Sequence, residues 1–68
     1  MLDNHGTTIV KIKKPSFAEK IIYTRKPVGL FYLLENKVYV GIDNSTGDAW
    51  TEEFPNLRQC REWLLETI

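Results

Sequence analysis

One cysteine, Cys60, and one histidine, His5, are all this 68-residue chain has of the residues that build most small reactive or stapled sites. A lone cysteine excludes an internal disulfide, and a single Cys and His far apart in sequence leave no ligand set for zinc. They also leave no nucleophile with its base: His5 sits in a polar terminus, Cys60 on an apolar helical stripe, and no third group orients either. The expectation is a protein that is not an enzyme and carries no cofactor and no metal. No apolar run approaches the roughly 20 residues of a membrane-spanning helix. The opening Met1-Leu2-Asp3-Asn4-His5 lacks the basic-then-apolar layout of a signal peptide. With an unpaired thiol, this points to the cytoplasm and away from a membrane.

Net charge is also missing, with nine basic residues against nine acidic. The balance is uneven along the chain. Residues 1–37 carry seven basic residues (Lys11, Lys13, Lys14, Lys20, Arg25, Lys26, Lys37) against three acidic, a net +4. Residues 38–68 carry Arg58 and Arg61 against six acidic residues, a net −4. Such a split can serve a nucleic-acid or acidic partner, or can simply mix on the surface of one folded body.

What is present is a globular composition: 43% hydrophobic residues, with two Trp, three Tyr and three Phe. A chain this short buries a modest share of its surface, so association with itself or with another protein is the supplement left open. Residues 1–6 are polar and expected to be mobile, leaving 7–68 as a single domain.

Thr7 to Lys13 reads as a strand, with Thr8, Val10 and Ile12 on one face and Ile9, Lys11 and Lys13 on the other; Pro15 ends it. Ser16 to Thr24 offers two readings. Ser16 and Glu19 have capping-box spacing, whereas Ile21-Ile22-Tyr23-Thr24 favours extended structure in a segment too short for an independent helix. The segment is expected to be a strand. Leu30–Glu35, Val38–Asp43 and Ala49–Phe54 form an antiparallel meander, turned by Asn36-Lys37 and by the cluster Asp43 to Asp48. Asn56 then caps a C-terminal helix over residues 57–67, with Gln59 as reciprocal partner and Leu57, Cys60, Trp63, Leu64 and Ile68 as its buried stripe. The fold class is α+β: an antiparallel sheet of this meander plus one or two N-terminal strands, with the C-terminal helix on one face.

Turn parity makes the meander apolar on both sides. Phe31, Leu33, Val38, Val40 and Ile42 share one face; Tyr32, Leu34, Tyr39, Trp50 and Phe54 share the other. One helix covers one face. The second must be covered by the N-terminal residues, by a second copy or by a foreign partner.

Two readings of function follow. A protein-interaction module, a homodimer in the simplest case, would present Tyr32, Tyr39 and Trp50 on the aromatic face, or an unpaired edge strand. A nucleic-acid-binding domain would line phosphates with Lys11, Lys13, Lys14, Arg25 and Lys26 and stack bases on the aromatics; the zero net charge argues against it. Asp43 to Asp48 has the glycine of a calcium loop one position early and no bidentate Glu after it, so it reads as a hairpin turn.

The stretch Tyr39-Val40-Gly41-Ile42-Asp43-Asn44-Ser45-Thr46-Gly47-Asp48-Ala49-Trp50-Thr51-Glu52-Glu53-Phe54, followed by a short helix carrying Trp63-Leu64, resembles small uncharacterised proteins of phages and mobile elements of Gram-positive bacteria. The resemblance covers residues from about 30 onward and implies an accessory role, binding and modulating a host or phage protein.

Overall fold

A computed structural model describes residues 8–66, in the order β1 (Ile9–Lys11), α1 (Pro15–Thr24), β2 (Gly29–Glu35), β3 (Val38–Asn44), β4 (Trp50–Phe54) and α2 (Leu57–Glu66). The four strands form one sheet whose spatial order follows the chain, β1-β2-β3-β4. The class is α+β, as the sequence indicates, but the sheet is mixed. β1 runs parallel to β2, with Ile9 beside Leu30 and Lys11 beside Tyr32, while β2–β3 and β3–β4 are antiparallel.

The parallel pair has its cause in residues 15–24, where the strand expectation is corrected to a helix. Two adjacent parallel strands need a crossover that returns the chain to its starting end, and α1 is that crossover. Pro15, read from sequence as a strand terminator, occupies the first turn of α1; its missing N–H costs nothing there and its φ suits a helix. Lys14 stands at the cap position without a side-chain bond, so the capping-box spacing of Ser16 and Glu19 is not used. Arg25 closes the helix in the left-handed region (φ 62°), its N–H donating to the Ile21 carbonyl at 2.7 Å. Packing against the sheet overrides the β-propensity of Ile21 to Thr24: Ala18 and Ile21 are buried under α1.

Three layers result, because the two helices take opposite faces of the sheet. Ala18 and Ile21 of α1, with Ile12, pack on Phe31, Leu33 and Ile42, and Val40 borders them. Phe17 adds an edge-to-face contact with Phe31 at 6.3 Å. Cys60 and Leu64 of α2 pack with Leu30 on the other face, joined by Ile9, Tyr32, Tyr39, Phe54 and Trp63. The aliphatic face is therefore covered by the chain's own N-terminal residues, as a helix, and the aromatic face by α2. Residues 1–6, expected to be mobile, Thr7 of the expected first strand, and residues 67 and 68 of the expected C-terminal helix and its stripe lie outside the described residues.

Both hairpins keep the anticipated register. Asn36 and Lys37 have φ of 55° and 67°, the two left-handed residues of a type I′ turn whose twist matches that of the strands. They set Glu35 against Val38, Leu33 against Val40 and Phe31 against Ile42. The second hairpin sets Asp43 against Trp50 and Tyr39 against Phe54. Gly41 lets α2 approach the sheet: a Cβ there would stand 3.1 Å from Cys60 Sγ and from two ring carbons of Trp63. Asn56 caps α2 as expected, its Oδ1 accepting the Gln59 N–H at 2.9 Å.

Candidate functional site

The β3–β4 loop and strand β4 gather the features that the core leaves unused. The loop is fixed from within. Asn44, fully buried, donates from Nδ2 to the Pro27 carbonyl (2.8 Å) and accepts the Ala49 N–H at Oδ1 (3.1 Å). Asp43, also buried, accepts the Ser45 N–H (3.0 Å) and the Ser45 hydroxyl (2.6 Å) at Oδ1. Thr46 Oγ1 donates to Asp48 Oδ2 at 2.7 Å. From the far side Arg25 Nη1 donates to the carbonyls of Gly47 (3.3 Å) and Asp48 (3.0 Å), while its Nε donates to the Ile22 carbonyl (3.0 Å). The turn-forming residues are thus bonded to one another and to the α1–β2 connection. Among the described residues there is no group of three or more His, Cys, Asp or Glu placed to hold a metal.

Strand β4 is the last in the sheet, and among the described residues none pairs with its outer edge. Which backbone groups it presents follows from the first turn. The pair closing a two-residue hairpin exchanges both of its N–H···O bonds, and along an antiparallel ladder residues then alternate between their two neighbours. Counting from Glu35 and Val38, the odd residues of β3 face β4, so Trp50, Glu52 and Phe54 bond inward. Thr51 and Glu53 turn their N–H and C=O groups outward. Pro55, directly after, has no N–H and ends the row.

Trp50 marks the start of this edge and is 64% exposed. It lies on the face that α2 covers, yet α2 leaves it largely exposed. Phe54, at the other end of β4, is the ring that meets Trp63, at 5.6 Å. Between the loop, β4 and Trp63 lies an open hollow of about 690 Å³ lined by Asp43, Asp48, Trp50, Thr51, Glu52 and Trp63, among others.

The aromatic residues singled out from sequence are therefore divided. Tyr32 and Tyr39 pack together at 6.4 Å, half-buried beside α2, whereas Trp50 stands free at the sheet edge. The basic residues are divided from Trp50 as well. Lys11, Lys13 and Lys14 are exposed on and after β1, at the opposite edge from Trp50. Lys26 is exposed in the α1–β2 connection, and Arg25 is spent on loop carbonyls. Three strand spacings of roughly 4.8 Å, about 14 Å in all, separate β1 from β4. Lys11 has Tyr32 beside it, but that ring is half-buried beside α2, and the exposed ring of Trp50 has no lysine from β1 near it.

Cys60 is buried against the sheet, and desolvation pushes its thiol pKa up from the ordinary value, the opposite of an activated nucleophile. His5 lies outside the described residues. Glu52 and Glu53 point to opposite faces of β4, as successive strand residues do. Thr51 and Glu53 are the edge residues that a search for reactive side chains passes over. Their signal is positional: they hold the outward parity of the last strand. No described helix is long and apolar enough to cross a membrane.

Comparison with protein-family models, with curated proteins and with solved structures gives no match.

Proposed function

We propose that this chain is a non-enzymatic, cytoplasmic protein-interaction module that receives an extended segment of a partner protein along β4. The observation that carries this reading is the free edge itself: a row of outward N–H and C=O groups at Thr51 and Glu53, flanked by the exposed indole of Trp50. An unpaired strand is a template for another strand, and an exposed aromatic beside it supplies the anchor that such interfaces use. Tyr32 and Tyr39 act from within, as support for the sheet under α2. On this reading the role is an accessory one, in which binding modulates the partner, as a kinship of residues 39–54 and Trp63-Leu64 with small phage and mobile-element proteins would imply.

Nucleic-acid binding has weaker support: of the three proposed stacking rings only Tyr32 neighbours a β1 lysine, Lys11, and it is half-buried beside α2, while the exposed Trp50 is at the opposite edge and the net charge is zero.

Thr51→Pro tests the reading. Its N–H points away from β3, so proline there removes an edge donor and leaves the β3–β4 ladder intact, at a cost to stability of about 1 kcal/mol or less. Affinity capture with the wild-type chain and with Thr51→Pro, each shown to be folded, should recover a partner with the first and lose it with the second. Equal recovery by both would reject β4 as the binding edge.

A further inference from the structure

Because strand order follows chain order, the charge split seen along the sequence becomes a split in space. The β1 edge carries Lys11, with Lys13 and Lys14 following it, and the β4 edge carries Glu52 and Glu53 beside Asp48. From residue 43 to residue 57 there are four carboxylates and no Lys or Arg. Glu52 and Glu53 are exposed, and neither is ion-paired among the described residues, where the one salt bridge joins Arg58 to Glu62. The nearest cation to the loop, Arg25, is turned onto backbone carbonyls.

Resting on the reading of β4 as a binding edge, we propose that the segment it receives is basic: an extended stretch of a partner protein with Lys or Arg on both of its faces. The pleat supplies the reason. Glu52 projects on the α2 side of β4 and Glu53 on the α1 side, so an added strand meets a carboxylate above and below its plane. On the α2 side a long basic side chain also lies along the Trp50 ring and the acidic hollow behind it, where a cation is attracted by the face of the indole.

The same charges disfavour a second copy. Two β4 strands paired about a two-fold axis would bring four glutamates onto adjacent strands, and like charges across a pair are destabilising. Head-to-tail pairing of β4 with β1 of another copy would match in charge, but β1 is three residues long and offers only Ile9 and Lys11 on its outer side.

Three synthetic peptides test the proposal against the full-length chain labelled for NMR. All set adjacent pairs of variable positions, one on each face of an extended strand, in a β-branched background, the pairs filled with Lys and Arg in one, Ser in the second and Glu in the third. The basic peptide should shift the amides of Thr51 to Glu53 and the Trp50 indole N–H, bind several-fold more weakly at high salt than at low salt, and bind more tightly than the other two. Glu52→Gln combined with Glu53→Gln should weaken it about tenfold, the size expected of two partly exposed charge pairs, while Thr51→Pro abolishes the shifts. Equal binding of all three peptides at β4 would overturn the charge assignment and leave the edge intact. No shift at β4 with any peptide would overturn the edge reading as well. Shifts confined to the Lys11–Lys14 side, or self-association through β4 without peptide, would overturn the proposal by naming a different surface or a different occupant.

Discussion

Asn44 is the residue whose loss should unmake the loop that carries the candidate site. Its amide joins two segments distant in sequence, donating to the Pro27 carbonyl and accepting from the Ala49 N–H, and no part of it reaches solvent. Asn44→Ala deletes both bonds. The Ala49 N–H is left buried without its acceptor, at about 1–3 kcal/mol, and loss of the bond to the more accessible Pro27 carbonyl adds about 0.5–1.5 kcal/mol. The sum, about 1.5–4.5 kcal/mol, is a large part of the roughly 3–10 kcal/mol expected for a domain of this length. Each kcal/mol is worth about 4–8 °C at this size, so Tm should fall by about 6–36 °C. Urea unfolding followed by tryptophan fluorescence reads the change as a lower midpoint at unchanged slope. Asn44→Asp sharpens the test. The new carboxylate keeps an acceptor for Ala49 but cannot donate to Pro27, and burial raises its pKa above the unfolded value near 3.9. Its destabilisation should therefore be small at low pH, where the protonated acid donates to Pro27, and should grow as pH rises through that value. A loss below about 0.5 kcal/mol for Asn44→Ala, or no pH dependence for Asn44→Asp beyond that of the wild type, would refute the role of the amide as a two-way tie.

Three further outcomes follow from the same geometry. Gly41→Ala should cost about 1–3 kcal/mol by pushing α2 off the sheet, and Cys60→Ala in the same chain should recover part of that loss in a double-mutant unfolding cycle, because Sγ is one of the atoms a Cβ would meet. Lys37→Gly should stabilise by about 0.5–1 kcal/mol, since Lys37 holds φ of 67° in a turn that prefers glycine; a lower urea midpoint would contradict the type I′ assignment. Cys60 should resist thiol-reactive disulfide reagents until the chain unfolds. Its raised pKa adds a pH effect: the unfolded thiol ionises first, so stability should hold below the ordinary thiol range near 8.5 and decline above it, and Cys60→Ala should remove that part of the decline.

What could be read from the sequence, and what could not, divides along a physical line. Turn chemistry is local, and parity propagates from it without further input: Asn36-Lys37 fixes which residues of β2 and β3 share a face, and closure around Thr46-Gly47 carries the count to β4. The cap at Asn56 is equally local. The helix α1 is not. It buries just two side chains, Ala18 and Ile21, too few for a periodic signal in ten residues, and its β-branched end favours extension. Its stability comes from the aliphatic sheet face it covers, which lies in another part of the chain. Pro15 shows the ambiguity in one residue, since a missing N–H both stops a strand and starts a helix.

Trp50 marks a second boundary. Parity correctly assigns it to the aromatic face, but parity says nothing about how far a helix extends across a face. Gly41 draws α2 down over the middle of β3, where Cys60 and Trp63 meet the sheet, and Trp63 takes Phe54 as its ring partner. Cover therefore stops short of the start of β4, and Trp50 is left outside it. The exposed indole is then a consequence of where the smallest residue of β3 sits. A variant that moved this close approach along β3 would move the site with it, because the helix seats where the sheet has no Cβ, and the uncovered end of β4 is whatever remains.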